Sequence, residues 1–413
     1  MTAVCHITSV HPSDDPRIFH KECVSLARAG YDVTLVAPGA SREEAGVRVI
    51  GCGEKPAGRV KRAFIYARHV VDVALTVPAE VVHLHDPELL LQVGRLRRAG
   101  RRVIFDSHED YGVKKAYLSG LTAELVRRAT LAVERHAASK LAALICCYEK
   151  TRERLSRFVD PIAMIYNFPI VDAAEARGDE AEGRCGATPD QGQPTALQAP
   201  ENSAHPPAGD VDATASPADA RAATPWVIGY AGGIKPMWHL KELLAAVAPL
   251  EGVTVKLAGI AQASYLEELT ASTGWAKVDY RGTLPFGRVR QDIYGPAQMG
   301  VALLDYIPAY NGKEGNLSNT KLFEILYAGL PIVATDFRAW REVIEGEDCG
   351  VCVDPNDVDA IRAAIETLHA DPARAAEMGQ RARRAVIEKY NWAQEEKKLL
   401  ALYETVLGRS EEE

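Results

Sequence analysis

The stretch LSNTKLFEILYAGLPIVATD, Leu317 to Asp336, decides the fold of the C-terminal half of the chain. Ser318, Asn319 and Thr320 are residue types that commonly cap helices. Gly329 is a natural stop for a helix over KLFEILYA. LPIVAT then has the continuous apolar, β-branched character of a parallel strand that is covered on both faces. The stretch therefore predicts a helix, a tight turn and a buried strand.

The same alternation of strand and helix extends in both directions from this stretch. Apolar strand patterns before it include AVCHITSV, YDVTLVAP, AEVVHLHD, RRVIFDSHE, LAALICCYE and WVIGYAGG, and CGVCVDP follows it. Strands separated by helical segments indicate parallel sheets, and we expect an α/β fold with two Rossmann-like domains that face a cleft. Ligands of such sheets bind at the carboxyl ends of the strands, so the cleft is the expected site.

A change of composition predicts the domain boundaries. Residues 171–225 contain no aromatic residue and are rich in Ala, Pro and acidic side chains, which is typical of a disordered linker. We expect an N-terminal domain over 1–170 and a C-terminal domain over 226–389. A last helix over 390–413 would cross to the N-terminal domain.

The composition of the 413 residues excludes several classes of protein. With 47% hydrophobic and 25% charged residues the chain can build sizeable cores, and no apolar run is long enough to span a bilayer. Ten acids and three arginines of the linker account for most of the net charge of −8, so nothing favours nucleic acid as a partner. Eight scattered cysteines indicate reduced thiols. The start of the chain lacks a signal-peptide pattern, and we expect a cytoplasmic protein, at most peripheral at the inner face of the membrane.

Glu324 is the one carboxylate within the apolar helix of the opening stretch. A buried carboxylate needs partners, because an unpaired one costs several kcal/mol or takes up a proton. A capping box would place the acid at Phe323 if Thr320 is the cap, so that explanation fails by one residue. An internal ion pair and the binding of a vicinal diol, such as a nucleotide ribose, both stay open from the residues alone.

The loop YAGGIKPMWHL offers a second signal in the same domain. Gly232 and Gly233 leave backbone amides free for close approach of a ligand, and a helix is expected near Leu240. A glycine turn that leads into a helix can hold a phosphate, although a plain turn has the same pattern. Together with a diol-binding acid, the loop points to a nucleoside diphosphate.

The N-terminal half carries clusters of His and acidic residues after its strands, namely His11 and Asp14 in HPSDDPR, His83 and His85 in HLHDP, and Asp110 in DSHED. No spacing among them matches a zinc pattern. Sugar-hydroxyl binding and helix capping explain them more simply, so we expect no metal site.

Several segments together resemble the retaining glycosyltransferases of family four, which have the GT-B fold. KLFEILYAGLPIVATDFRAWREVI resembles the nucleotide-binding signature of that family, and HPSDDPRIFHKECVSLARAGYDVTLVAP, VVHLHDPELL and VIFDSHED resemble one bacterial branch. The likeness covers nearly the whole chain apart from the linker. It implies transfer of a sugar from a nucleoside diphosphate sugar to an acceptor hydroxyl with retention, without a cofactor or a required metal, in the biosynthesis of envelope glycans or secondary metabolites.

The resemblance also implies roles for individual residues. Glu324 matches the acid that binds the donor ribose, and Asn316 stands where many members carry a second Glu that holds donor-sugar hydroxyls. His108 matches a histidine near the donor sugar, and we assign His108 and Lys321 to catalysis. The other donor-binding residues implied are Leu317, Ser318, Gly232, Gly233 and Lys235. The acceptor-binding residues implied are Asp15, Arg17, Asp86 and Glu109.

Two departures from the family pattern bear on the mechanism. Many members place a cation in the first loop and another five residues on, where this chain has Gly233 and Trp238. A departing diphosphate develops charge that a fixed cation usually stabilises, and Lys235, Lys321 or Arg17 could substitute. The second departure is the uncharged Asn316. A nucleotide-sugar epimerase on the same fold and a non-catalytic GT-B protein that binds nucleotide-sugars are therefore the alternative functions.

The segment GRVKRAFIYARHV, residues 58–70, is basic and amphipathic. Such a helix can rest on anionic lipid, although basic helices are more often merely solvated. Membrane contact would favour a lipid-linked glycan acceptor, and its absence a small soluble acceptor.

Overall fold

The computed structural model describes residues 1–108, 121–172 and 225–408. Its first sheet has eight strands in the order β3-β4-β2-β1-β5-β6-β7-β8, parallel throughout except for the antiparallel β3–β4 pair. These strands are β1 Ala3–Ile7, β2 Asp32–Ala37, β3 Arg42–Glu44, β4 Val47–Gly51, β5 Val81–Leu84, β6 Arg102–Ser107, β7 Ala143–Cys146 and β8 Ile162–Met164.

The second sheet has six parallel strands in the order β11-β10-β9-β12-β13-β14. They are β9 Trp226–Ala231, β10 Val253–Ala258, β11 Val278–Tyr280, β12 Met299–Ala302, β13 Ile332–Thr335 and β14 Gly350–Val353. The central strands β12 and β13 are buried at every position, which explains why their sequences are continuously apolar.

Helices cover both faces of each sheet. Those of the N-terminal domain are Val24–Arg28, Arg59–Lys61, Ala67–Thr76, Val93–Arg98, Leu121–Ala138 and Glu149–Leu155, with π-helical turns over Ile18–Cys23 and Arg62–Tyr66 and a 3₁₀ helix over Pro87–Gln92. Those that follow the second domain's strands are Leu240–Val247, Ala263–Thr270, Phe286–Val289, Thr320–Tyr327, Arg338–Ile344, Val358–Ala370, Pro372–Glu388 and Trp392–Leu407, with a π-helical turn over Arg290–Tyr294 and short 3₁₀ helices over Pro236–Trp238, Thr273–Lys277, Pro308–Tyr310 and Gly312–Glu314.

The Trp392–Leu407 helix leaves the second domain and packs on the first. Trp392, Leu399 and Tyr403 are buried in the same apolar cluster as Val4 and Ile18. The indole Nε1 of Trp392 donates a hydrogen bond to Ser25 Oγ at 2.9 Å. The end of the chain therefore links the two domains through burial of its apolar face.

The predicted fold class is confirmed, because two α/β domains with mainly parallel sheets are present. The linker prediction falls on 173–224, which lie outside the described residues. Seven cysteines in the described part of the chain are free thiols, as expected. Over the same residues, no helix has the length and apolarity needed to cross a membrane.

Candidate functional site

The Thr320–Tyr327 helix presents its two charged side chains on one face. Its N-cap is Asn319, whose side-chain oxygen accepts a hydrogen bond from the Leu322 amide at 3.3 Å. Asn319 is one of the three cap candidates of the sequence, and with Asn319 as the cap the capping-box position is Leu322, so Glu324 is still not part of a capping box. Lys321 and Glu324 are three residues apart, so both lie on the same side of the helix.

Lys321 lies directly beneath the glycine loop that follows β9. A Cβ on Gly232 would come within 2.7 Å of Lys321 Cε and 3.0 Å of its Nζ, and Gly232 has a φ of +146°. Only glycine fits this conformation without strain at such close approach. The loop and the lysine thus form one unit, although they are almost ninety residues apart in the chain.

Two aromatic rings hold the ammonium group of Lys321. Its Nζ lies 3.6 Å from the ring centroid of Tyr230 and 3.5 Å from that of Trp238. The side chain is buried, which excludes the alternative that it is a solvated surface lysine. Among the described residues, Nζ has no hydrogen-bond partner, and burial lowers the pKa of Lys321 well below its ordinary value.

Glu324 lies where positive charges from both domains act on it. Burial raises its pKa, and the positive charges of Lys21, from the N-terminal domain, and of Arg290 oppose that rise. Within the described part of the chain, no cation lies within ion-pair distance of the Glu324 carboxylate. An ion pair between Glu324 and a cation of its own domain would exclude diol binding. The described residues contain no such pair.

Lys21 is a residue that sequence reasoning missed. It is almost fully buried, and its Nζ donates hydrogen bonds to the side-chain and backbone oxygens of Asn167, at 2.5 and 3.3 Å. Burial lowers its pKa to about 8, against the charge of Glu324, which acts in the opposite direction. The local sequence around Lys21 does not indicate a functional role, because the residue that Lys21 approaches, Glu324, belongs to the other domain.

The loop before the Thr320–Tyr327 helix is organised by Asn316. Its Oδ1 accepts hydrogen bonds from the Ser318 amide, at 2.9 Å, and from the Ser318 hydroxyl. The amide of Ser318, expected to bind the donor, is therefore already engaged. The Asn316 side-chain nitrogen is buried and has no hydrogen-bond partner among the described residues, so it can donate to a ligand. Leu317 packs against the surrounding apolar cluster.

The residues expected on the acceptor side are largely engaged within the N-terminal domain. Arg17 donates from Nε and Nη2 to the two oxygens of Asp106, at 2.9 and 3.1 Å, and from Nη1 to the Ile165 carbonyl. Asp15 Oδ1 accepts from the Arg17 and Ile18 amides and so caps the following turn. Arg17 is therefore not available as the substitute cation for a diphosphate.

Asp86 is also held in place by its own domain. One of its oxygens accepts hydrogen bonds from Thr8 Oγ1 and the Ser9 amide, both at 2.7 Å, and the other lies 3.0 Å from His11 Nδ1. Burial alone would raise its pKa, but these contacts keep the pKa below its ordinary value. Glu109, the remaining acceptor-side residue, lies outside the described residues, as does Asp110.

His108 is near the surface end of a row of imidazoles. Its Nε2 lies 3.3 Å from His85 Nδ1, and its Nδ1 lies 3.5 Å from Asp106 Oδ2. Burial lowers its pKa, so the ring is held in the neutral form and oriented by these two neighbours. Lys235 is exposed at the edge of the glycine loop, near Gly233. Gly233 accepts a hydrogen bond from Tyr230 Oη through its carbonyl oxygen.

Two family models match the chain in the two domains. The "Glycosyl transferase 4-like domain" matches residues 17–167, and "Glycosyl transferases group 1" matches residues 309–385. The second match includes Asn316, Lys321 and Glu324. The chain is 34% identical over 88 residues to a phosphatidyl-myo-inositol mannosyltransferase of Mycolicibacterium smegmatis, a stretch that covers 21% of this chain and 22% of that relative. The similarity thus spans about a fifth of the relative's length.

Solved structures resemble nearly the whole chain. Sucrose-phosphate synthase of Thermosynechococcus elongatus has a TM-score of 0.67 at 16% identity, covering 99% of this chain and 100% of that chain. HepE of Anabaena, solved with UDP and glucose, has a TM-score of 0.65 at 13% identity, covering 98% and 100%. WaaG, a glycosyltransferase involved in lipopolysaccharide biosynthesis, has a TM-score of 0.62 at 13% identity, covering 97% and 99%. At these identities the likeness establishes the fold.

The fold and the two family models define the class of protein. The chain combines the GT-B fold with two glycosyltransferase-type domains, one on each side of the domain junction.

Proposed function

We propose that this protein is a retaining glycosyltransferase that moves a hexosyl group from a nucleoside diphosphate sugar to an acceptor hydroxyl. The observation that carries this proposal is the unit formed by Gly232, Lys321 and Glu324. A loop that requires glycine covers a buried lysine whose Nζ has no hydrogen-bond partner among the described residues, and an acid lies one turn further along the same helix face. This arrangement would allow a diphosphate to bind at Lys321 and the ribose diol of the same nucleotide to bind at Glu324.

Lys321 supplies what the sequence of the loop lacks. Family members often carry a cation on the loop, whereas here Trp238 occupies that place and its ring covers the Lys321 ammonium. Lys321, on the helix below the loop, would supply the positive charge that those family members carry on the loop itself. As the sugar departs, negative charge grows on the diphosphate, and a fixed ammonium in a dry pocket stabilises that charge strongly. The N-terminal end of the helix adds a smaller contribution of the same sign.

Donor binding and closure would involve both domains. The ribose hydroxyls would donate hydrogen bonds to Glu324, and the Asn316 side-chain nitrogen would donate to a sugar hydroxyl. Lys21 brings a charge of the N-terminal domain close to Glu324, so closure and ribose binding are coupled. Closure excludes water and limits hydrolysis of the donor. The acceptor hydroxyl attacks the same face from which the diphosphate leaves, and no step requires a metal or cofactor.

A thermal-shift panel of UDP, GDP, ADP and TDP sugars tests donor binding. We expect one nucleotide to stabilise the wild type selectively and to lose most of that effect on Glu324→Ala. The matched control is Glu366→Ala, since Glu366 is an exposed acid on the Val358–Ala370 helix. An equal response of the two variants would contradict the role of Glu324.

A turnover assay with the selected donor separates transfer from the alternatives. Slow donor hydrolysis without an acceptor, and product of retained configuration with one, are the expected results. Conversion of the donor sugar to its epimer without any acceptor, or binding with neither transfer nor hydrolysis, would overturn the proposal.

We also propose peripheral membrane contact through residues 58–70, at the cytoplasmic face, with a lipid-linked glycan acceptor in envelope glycan biosynthesis. Val60, Phe64 and Ile65 are 73%, 63% and 67% exposed, which is unusual for large apolar side chains on neighbouring turns. Lys61 and Arg68 flank them, so apolar insertion and attraction to anionic lipid would act together.

Liposome co-sedimentation tests this contact. Binding to vesicles that contain anionic lipid should be salt-sensitive and should fall on Lys61→Gln with Arg68→Gln, or on Phe64→Ser. Arg62 is a poorer choice because its Nε pairs with Glu88 Oε1 at 2.7 Å. Equal binding of wild type and variants would show that these residues are merely solvated and would favour a soluble acceptor.

A further inference from the structure

A group of histidines lies on one face of the first sheet. His6 of β1 and His83 of β5 are register partners, and His85 follows His83 by two residues and so points to the same side. Glu22, from the Ile18–Cys23 turn, covers this face together with Tyr403 of the last helix. The four side chains of His6, Glu22, His83 and His85 are each fully buried.

One ligand atom from each of these four residues lies within 4.8 Å of one from every other. Glu22 Oε2 is 3.8 Å from His83 Nε2 and 4.0 Å from His85 Nε2, and His85 Nε2 is 2.9 Å from His6 Nδ1. A tetrahedral zinc ion with bonds of about 2.0–2.2 Å separates its ligand atoms by about 3.3–3.6 Å. The recorded separations lie on both sides of that range, so small side-chain shifts would fit an ion.

Two of the converging atoms lack any hydrogen-bond partner among the described residues. They are Glu22 Oε2 and His83 Nε2, which lie 3.8 Å apart. A buried carboxylate oxygen and a buried imidazole nitrogen without donors are costly in a folded protein.

The second nitrogen of each histidine has a hydrogen-bond partner in a second layer of residues, and Glu22 Oε1 lies within ion-pair distance of Arg17. Tyr403 Oη lies 2.9 Å from His83 Nδ1 and 3.2 Å from His6 Nε2. His85 Nδ1 lies 3.3 Å from His108 Nε2, and Glu22 Oε1 lies 2.9 Å from Arg17 Nε. Partners of this kind fix the tautomer and orientation of metal ligands.

We propose that His6, Glu22, His83 and His85 bind one Zn²⁺ ion in a closed, structural site. Three imidazole nitrogens and one carboxylate oxygen are ligands that suit zinc, and four protein ligands leave no position for substrate. The ion would tie β1, β5 and the Ile18–Cys23 turn to one another. It would also fix His85, and through it the orientation of His108 towards the cleft. No metal was expected here from the sequence, because the ligands come from three separate segments.

Metal analysis of the full-length protein, purified without a polyhistidine tag or chelator, tests the site. Protein from zinc-supplemented medium should contain about one Zn²⁺ per chain, and protein from cobalt-supplemented medium should show the intense visible absorption of tetrahedral Co²⁺. Tyr403→Phe keeps all four ligands but removes the second-layer hydroxyl, so its zinc affinity in a competition with a chromophoric chelator should fall about 10- to 100-fold. Glu22→Gln should lower the affinity further.

The control is His20→Gln, because His20 is an exposed histidine on the same turn as Glu22. It should retain the metal content and the cobalt spectrum of the wild type. A folded wild type with less than about one-tenth of an equivalent of metal from either medium would overturn the proposal. In that case the cluster is a hydrogen-bonded network with a proton on Glu22. Equal zinc affinity of Tyr403→Phe and His20→Gln would show an adventitious ion bound elsewhere and would also overturn it.

Discussion

Apart from the histidine cluster around Glu22, the buried charged groups of the two domains are satisfied in opposite ways. In the N-terminal domain, Arg17 binds both oxygens of Asp106, and Asp86 accepts bonds from the loop after β1. In the C-terminal domain, Lys321 is buried against two aromatic faces, and among the described residues neither its Nζ nor the Asn316 side-chain nitrogen has a hydrogen-bond partner. One set of polar groups is satisfied by the fold, and the other is not.

This difference indicates which buried polar residues are candidates for ligand binding. A buried polar group that the protein satisfies can be explained by stability alone, whereas one that the protein leaves unsatisfied costs free energy in every ligand-free molecule. An incoming diphosphate and sugar would satisfy Lys321 and Asn316 together. On the function proposed above, Lys321 and Asn316 belong to the donor site, and the Arg17–Asp106 pair is part of the framework.

Breaking the framework pair should have the largest effect on stability. Arg17→Met leaves Asp106 buried without its main partner, so the free energy of unfolding should fall by about 3–5 kcal/mol. Urea unfolding followed by circular dichroism measures this change. Arg28→Met, at an exposed arginine of the same helical segment, should change it little. Near-equal stability of the two variants would show that the Arg17 pair is not structural.

Removing the pocket lysine should instead reduce turnover. Lys321→Met fills similar volume but cannot stabilise the departing diphosphate, so kcat should fall about 100- to 1,000-fold. Steady-state kinetics with the selected donor give the value, with Lys150→Met as the control at an exposed lysine. Unchanged kcat would mean that another cation serves the diphosphate.

The acid should act mainly on donor affinity. Glu324→Gln keeps the shape of the side chain but loses the charge that accepts from the ribose hydroxyls, a difference of about 1.5–3 kcal/mol. Isothermal calorimetry with the nucleoside diphosphate should therefore show roughly 10- to 100-fold weaker binding. We expect this loss of affinity in Glu324→Gln to be smaller than the loss of kcat in Lys321→Met. Wild-type affinity in this variant would place the ribose elsewhere.

The smallest effect is a pH dependence of binding. Burial lowers the pKa of Lys321 in the free protein, and a bound diphosphate would raise it again, so binding should take up protons. Affinity should then decrease as the pH rises above the pKa of Lys321 in the free protein. Calorimetry at mildly alkaline pH, in buffers of different ionisation enthalpy, counts these protons. The uptake attributable to Lys321 should be absent from Lys321→Met, and identical uptake in that variant would assign the proton to another group.

Sequence reasoning predicted the features that depend on neighbouring residues. The helix and strand of the opening stretch and the glycine turn before Leu240 were expected, because local patterns determine them. It could not choose Asn319 as the cap, since Ser318 and Thr320 are nearly as suitable.

What the sequence did not predict depends on contacts between distant segments. The pairing of Arg17 with Asp106 and the approach of Lys21 to Glu324 join residues far apart in the chain. The burial of Lys321 beneath Gly232 has the same origin, since the two residues come from different strand–helix units. A pattern of residue types gives no distance between such units, so only the assembled fold distinguishes engaged from unpartnered groups.

Thermal melting of Lys321→Met, with and without the nucleoside diphosphate, tests the central claim most directly. Removing a buried lysine whose Nζ has no hydrogen-bond partner among the described residues should raise the stability of the ligand-free protein by about 1–3 kcal/mol and should remove most of the stabilisation by ligand. A variant that melts at a lower temperature than the wild type, yet gains as much from the ligand, would show that Lys321 serves the fold and not the donor.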